Sequence, residues 1–272
     1  MSDIPTPPVT NTFATLTLDR PDPDILRVTL DRPAARNALD TQMGLDLMHL
    51  FEGLQVSAEE TRAVILTGRG DKAFCAGGDL KERRGMSDAT WTKQHLIFER
   101  MVRALLACPV PVIAAINGAA YGGGCEIAAA CDFIYAAQGA RFALTEVTLG
   151  IMPGLGGTQN LARAVGARRA KEILLTGAPF GAEEAERWGL VNRVCADETL
   201  MDDTLATARR IARNAPIAAR QIKQSVNRGL DLSLWDGLAF EIEAYHRMVP
   251  TEDRREGVDA FNEKRPPHFK GR

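Results

Sequence analysis

The sequence predicts an α/β domain, largely parallel in its strand pairing, followed by a helical C-terminal region. Two observations carry this. A short continuous apolar run at 63–66 and the strands expected at 112–116 and 132–136 alternate with segments of helical period, as expected for strands covered by helices on both faces. Beyond about Val194 the alternation stops: residues 198–213, 216–228, 232–248 and 252–264 all read as helices, with no further strand.

The elements follow in order. Residues 1–12 hold three prolines but no basic start or apolar run, so they read as a disordered leader with no secretory signal. Residues 13–18 and 25–30 alternate in polarity around Pro21-Asp22-Pro23-Asp24, which predicts a hairpin. Asp40 can cap a helix that places Met43, Leu47, Leu50, Phe51 and Leu54 on one face. After the 63–66 strand a Gly-rich loop runs from Gly68 to Asp79. A second helix starts near Ser87, buries Phe98, Met101, Val102, Leu105 and Leu106, and ends at Pro109-Val110-Pro111. Beyond the 112–116 strand, Gly122-Gly123-Gly124 opens a helix of small residues, 125–130. Small side chains permit close packing on several sides, which marks it as the central buried helix. The domain division expected from this is 13–196 for the core and 197–272 for the helical region.

Of the 272 residues, 45% are hydrophobic and 25% charged, enough apolar side chain for a sizeable core and not the composition of a disordered chain. The formal net charge of −2 argues against a chain whose main work is neutralising nucleic-acid phosphates. Five cysteines without a C-x-x-C pattern suit a reducing compartment, and a cytoplasmic location is expected. The weakly charged stretch 110–135 is broken by Glu126, Asp132 and the three glycines, so it reads as core and not as a membrane span.

Two loops share one physical character. Phe74-Cys75-Ala76-Gly77-Gly78-Asp79 follows a strand, and Tyr121-Gly122-Gly123-Gly124 opens a helix. Each brings small-residue backbone and unpartnered N–H groups close to a ligand, the second at the positive end of a helix. Two such donors converging on one oxygen would form an oxyanion hole. Glu126 lies in the first turn of the small-residue helix, and Glu146 sits in the apolar segment Phe142-Ala143-Leu144-Thr145-Glu146-Val147. From spacing alone they are equally an acid–base pair or two capped structural glutamates. Cys75 and Cys125 read as small buried fillers, because His49, His95, His246 and His268 are scattered along the chain.

The order of motifs resembles the enoyl-CoA hydratase/isomerase (crotonase) superfamily. The matching segments are Arg36-Asn37-Ala38-Leu39, residues 72–82, residues 111–118, Gly122-Gly123-Gly124-Cys125-Glu126, residues 146–154 and Gly156-Gly157-Thr158-Gln159. Residues 79–83, 250–257 and 263–267 are similar to the branch containing methylglutaconyl-CoA hydratase and its AU-rich-RNA-binding relatives. The resemblance implies a crotonase-like ββα spiral core with a C-terminal helical trimerisation region, assembled as a trimer or hexamer.

It also implies roles. The N–H groups of Ala76 and Gly123 would hold a thioester oxygen, Glu126 would activate water, Glu146 would protonate the α-carbon, and Gly154 would position the water. Arg36, Asn37, Ala38, Leu39 and Asp40, together with Ala76, Gly77, Gly78, Asp79, Leu80 and Gly123, would line the CoA path. Phe261 and Lys264 match positions where the family's tail reaches CoA, often across a subunit boundary. Gly78 departs from the pattern, since many members carry Ala there. No metal or redox cofactor is implied, CoA being part of the substrate. Retention of both glutamates favours an enoyl-CoA hydratase over a Δ3,Δ2-enoyl-CoA isomerase. An RNA-binding protein with a vestigial pocket is the alternative of another class, and the net charge speaks against it.

Overall fold

The computed structural model describes residues 13–58 and 60–272, so the expected leader lies outside the described residues. An antiparallel pair opens the fold, β1 (Leu16–Asp22) and β2 (Ile25–Leu30), turned at Pro23-Asp24. Asp40 caps α1 (Thr41–Val56) by accepting from the Met43 N–H at 2.8 Å, and the apolar face anticipated for this helix is buried. Then come β3 (Ala63–Gly68), buried along its length, β4 (Ala73–Cys75), α2 (Leu80–Arg83) and α3 (Asp88–Leu106), the last capped by Ser87. α3 buries Phe98, Met101, Val102 and Leu105. Leu106, expected beside them, is 41% exposed, because a step of one residue on a helix turns it about 100° off that face.

The middle of the chain supplies β5 (Val112–Ile116), β6 (Ala119–Tyr121), α4 (Gly123–Ala130), β7 (Phe133–Ala137) and β8 (Arg141–Ala143). It continues through α5 (Gly157–Val165), α6 (Ala167–Thr176), β9 (Phe180–Gly181), α7 (Ala182–Trp188) and β10 (Arg193–Cys195). Four helices close the chain: α8 (Leu200–Ala212), α9 (Pro216–Gly229), α10 (Leu234–His246) and α11 (Glu252–Glu263).

The strands form two sheets. One has the order β1-β2-β3-β5-β7-β10, parallel except for the opening pair; the other has the order β4-β6-β8-β9, parallel except for β8 and β9. Consecutive strands alternate between sheets (β3 then β4, β5 then β6, β7 then β8). Each turn of the chain therefore adds one strand to each sheet and then a helix. This is the ββα spiral, and it stacks the loops after β4, β6 and β8 beside one another. α4 is held between them: seven of its eight residues, all but Ala129, are buried. α8 packs on β3, β5 and β7, while α9 and α10 pack mainly on each other.

Candidate active site

The two Gly-rich loops meet at the start of α4. A Cβ on Gly124 would overlap the Cys75 carbonyl oxygen, so only glycine lets the helix start this close to β4. Gly77 has φ +92°, a conformation L side chains rarely adopt, and a Cβ there would lie 2.8 Å from the Tyr121 carbonyl oxygen. The loop after β4 is pinned on its other side by Leu39. The Leu39 N–H donates to the Gly77 carbonyl at 2.8 Å, and the Asp79 N–H donates to the Leu39 carbonyl at 2.9 Å. In such a parallel bridge Leu39 uses its partner's flanking residues, which leaves the N–H of Gly78 itself outside the ladder.

This corrects one expectation. The Ala76 N–H donates to the Arg36 carbonyl at 3.1 Å and is not available to a ligand. Among the described residues the Gly78 N–H, two residues on, has no acceptor, and it lies next to Gly123: a Cβ on Gly123 would sit 3.9 Å from the Gly78 nitrogen. Gly123 opens α4, where N–H groups have no intrahelical acceptor, and no side chain caps the helix. Two backbone donors, from Gly78 and Gly123, thus face one cavity.

The cavity holds about 600 Å³, and both glutamates line it. Glu126 is 2% exposed; its Oε1 accepts from the N–H groups of Leu155, at 2.7 Å, and Gly157, at 2.8 Å. Burial pushes its pKa up to about 7 against the restraint of those two bonds, and the neighbouring Glu146 pushes the same way. Burial also raises Glu146, opposed by its own backbone N–H and by the charge of Arg83. The Oε2 of Glu146 is buried and has no hydrogen-bond partner among the described residues. A fixed carboxylate thus shares the cavity with one that has a free oxygen, and burial raises both above the ordinary carboxylate value.

Gly154 borders the same space, and a Cβ there would overlap Nε2 of His95, which explains a glycine at this position. Leu39, Ala76, Gly77, Gly78, Leu80 and Gly123 also line the cavity, as their place in the sequence suggests. Three other residues of the expected CoA path are committed to the scaffold. Asn37 is fully buried and ties Arg32 to Arg69 and Ala73, while Asp40 and Asp79 both pair with Arg32 and cap α1 and α2. Arg36 is exposed and Ala38 is buried, and neither lines the cavity. Phe261, 84% exposed on α11, and Lys264 at that helix's end do not join the cavity within this chain. Phe261 instead lines a separate apolar groove of about 650 Å³ with Ile217, Tyr245 and Val258.

Sequence reasoning did not single out Arg83, Trp91 and His95 as site residues, yet all three line the cavity. Trp91, His95 and Phe98 are spaced i, i+4, i+7 on α3, so their common face was readable from helical period. Among the described residues no cluster of three or more His, Cys, Asp and Glu side chains is placed to hold a metal. No helix among the described residues is long and apolar enough to cross a membrane.

Comparison with known proteins agrees with this arrangement. Residues 21–272 match the family model described as enoyl-CoA hydratase/isomerase. A relative from Bacillus subtilis, the putative enoyl-CoA hydratase/isomerase YngF, is 46% identical over 90% of this chain and 94% of its own. The short-chain-enoyl-CoA hydratase of Clostridium acetobutylicum is 42% identical over 88% of this chain and 91% of its own. The crystal structure of enoyl-CoA hydratase from Bacillus anthracis superposes with a TM-score of 0.93 at 41% identity, covering 95% of this chain and all of that one. The chain belongs to the enoyl-CoA hydratase/isomerase family.

Proposed function

We propose that the protein catalyses the reversible addition of water to a 2-enoyl-CoA thioester, with Glu126 and Glu146 as the acid–base pair. The observation that supports this most is the sharing of one cavity by two buried carboxylates, one with an unpartnered oxygen, beside two backbone N–H donors. A thioester oxygen set between Gly78 and Gly123 accumulates charge as water attacks the β-carbon, and the two dipoles stabilise that charge without reorganising. Glu126, anchored by Leu155 and Gly157, withdraws a proton from water. Glu146 gives a proton to the α-carbon, so the water's oxygen ends on one carbon and hydrogen on the other. The two acids share one water and titrate as a pair.

Gly154 holds that water from the far side. The chemistry draws on no metal or redox cofactor in this reading. The exposed apolar residues Ile222, Val226, Leu230, Leu234, Trp235 and Ile242 on α9, α10 and the turn between them suit a homotrimer or hexamer. A cytoplasmic enzyme of the branch containing methylglutaconyl-CoA hydratase is the finer placement, supported by residues 79–83 and by the tail segments. Incubation with crotonyl-CoA tests the activity: catalysed loss of the enoyl absorbance is expected, and silence on crotonyl-CoA with turnover of a 3-enoyl-CoA would favour the isomerase instead.

A further inference from the structure

Arg32 does not line the cavity, yet its guanidinium gathers three partners from the two chain segments that fix the Gly78 donor. Nε pairs with Asp40 Oδ2 at 3.1 Å, Nη2 pairs with Asp79 Oδ2 at 3.0 Å, and Nη1 donates to the Ala38 carbonyl. Both aspartates divide their oxygens in the same way. Oδ1 of Asp40 accepts from the Met43 N–H at the start of α1, and Oδ1 of Asp79 accepts from the Lys81 and Glu82 N–H groups at the start of α2. Each Oδ2 is left to the one cation. The three side chains are between 12% and 23% exposed, so water screens the cluster only in part.

These partners bracket the bridge that exposes the Gly78 N–H. Leu39 lies between Ala38 and Asp40, and it pairs with the residues on either side of Gly78. The guanidinium therefore cross-links the bridge, from Ala38 and Asp40 on one segment to Asp79 on the other. The braced segment is a demanding one. Arg36 and Asn37, consecutive and neither of them glycine, have φ of +51° and +54°, a left-handed conformation that L residues adopt at a cost.

Asp79 also directly follows the Gly78 donor in the chain. An uncompensated carboxylate there would oppose the negative charge that builds on a thioester oxygen held by Gly78 and Gly123. Burial works to raise the Asp79 pKa, but the hydrogen bond from Arg32 and those from the Glu82 and Lys81 N–H groups outweigh it and hold the group below the ordinary carboxylate value. The carboxyl stays ionised, so its charge has to be cancelled by a neighbour.

We infer that Arg32 is a positioning residue of the oxyanion site: it holds the Gly78 N–H in place by cross-linking residues 38–40 to Asp79, and it cancels the Asp79 charge beside that donor. This rests on the hydratase reading and extends that site to a residue outside the cavity. A lysine is no substitute, because a single ammonium lacks the planar fork that serves three acceptors at once.

The test pairs crotonyl-CoA kinetics with difference infrared spectra of butyryl-CoA, isotopically labelled at the thioester carbonyl. Butyryl-CoA has no double bond to hydrate, and its carbonyl stretch falls as the oxygen is polarised by the N–H donors. Displacing a donor costs less than removing one, so Arg32→Met should lower kcat on the order of tenfold to a hundredfold, with KM little changed. The carbonyl shift on binding should shrink in parallel. Arg32→Lys, which keeps the positive charge and is the milder change for folding, should lose part of both. Adding Asp79→Asn to Arg32→Met should recover part of both, since asparagine still caps α2 without the charge. Arg32 variants with the wild-type carbonyl shift, whatever their stability or KM, would overturn the proposal, as would a double variant no better than Arg32→Met. Wild-type turnover of crotonyl-CoA would leave the hydratase reading standing in those cases. Wild-type silence on crotonyl-CoA, with no shift of the butyryl-CoA carbonyl, would overturn that reading and this proposal with it.

Discussion

Replacing Glu126 by Gln removes a charge that the fold holds at a measurable cost. Glu126 is 2% exposed and titrates near 7 against an ordinary value of 4.5, because burial outweighs the two N–H groups that hold it. A carboxyl whose folded pKa is raised weakens the fold as pH climbs through the interval between the two values. Below about 4.5 both states are protonated and nothing is lost, whereas above about 7 the full cost is present. That rise corresponds to roughly 3 kcal/mol. Gln keeps a carbonyl oxygen for the Leu155 and Gly157 N–H groups and never ionises. The unfolding free energy of Glu126→Gln minus that of the wild type should therefore grow by up to about 3 kcal/mol between pH 5 and pH 8. Titrating groups other than Glu146, which is coupled to Glu126, are common to both proteins and cancel in the difference. Urea unfolding followed by circular dichroism, at equal protein concentration, measures it. Parallel stability-against-pH curves would show that Glu126 is not held near neutrality and would refute the reasoning.

Other substitutions probe the scaffold. Asn37→Ala removes three hydrogen bonds from a buried residue at φ +54°, and should cost on the order of 3 kcal/mol in denaturant unfolding. Gly124→Ala forces a methyl onto the Cys75 carbonyl and should shift α4 away from β4; a large fall in kcat is expected, and a wild-type rate would show that the N–H groups need no such close approach. Trp235→Asp puts a charge into the exposed apolar face of α10 and should lower the mass seen by sedimentation. A wild-type chain that sediments as a monomer would contradict the proposed assembly.

The elements that sequence made legible were those long enough to show a period or a cap. Asp40 and Ser87 mark the starts of α1 and α3, and residues 112–116 emerge with their strand bounds unchanged. The smaller sheet was invisible, because Ala73–Cys75, Ala119–Tyr121 and Arg141–Ala143 are three residues each and Phe180–Gly181 only two, too short for alternation to register. The candidate site was legible in its glycines and glutamates but misplaced by two residues at one donor. Which N–H of the 76–79 loop stays free depends on the pairing of Leu39 with Gly78, a tertiary register that no local pattern encodes. His95 looked like one of four scattered histidines until the spiral brought α3 over Gly154.

The turnover of crotonyl-CoA by Glu126→Gln, Glu146→Gln and the double variant tests the shared-water pair most directly. Each single change should lower kcat by about 10²–10⁴-fold with folding and acyl-CoA binding intact. The double variant should fall well short of the product of the two losses, since residues acting as a unit are not additive. Either single variant working at the wild-type rate would contradict the account.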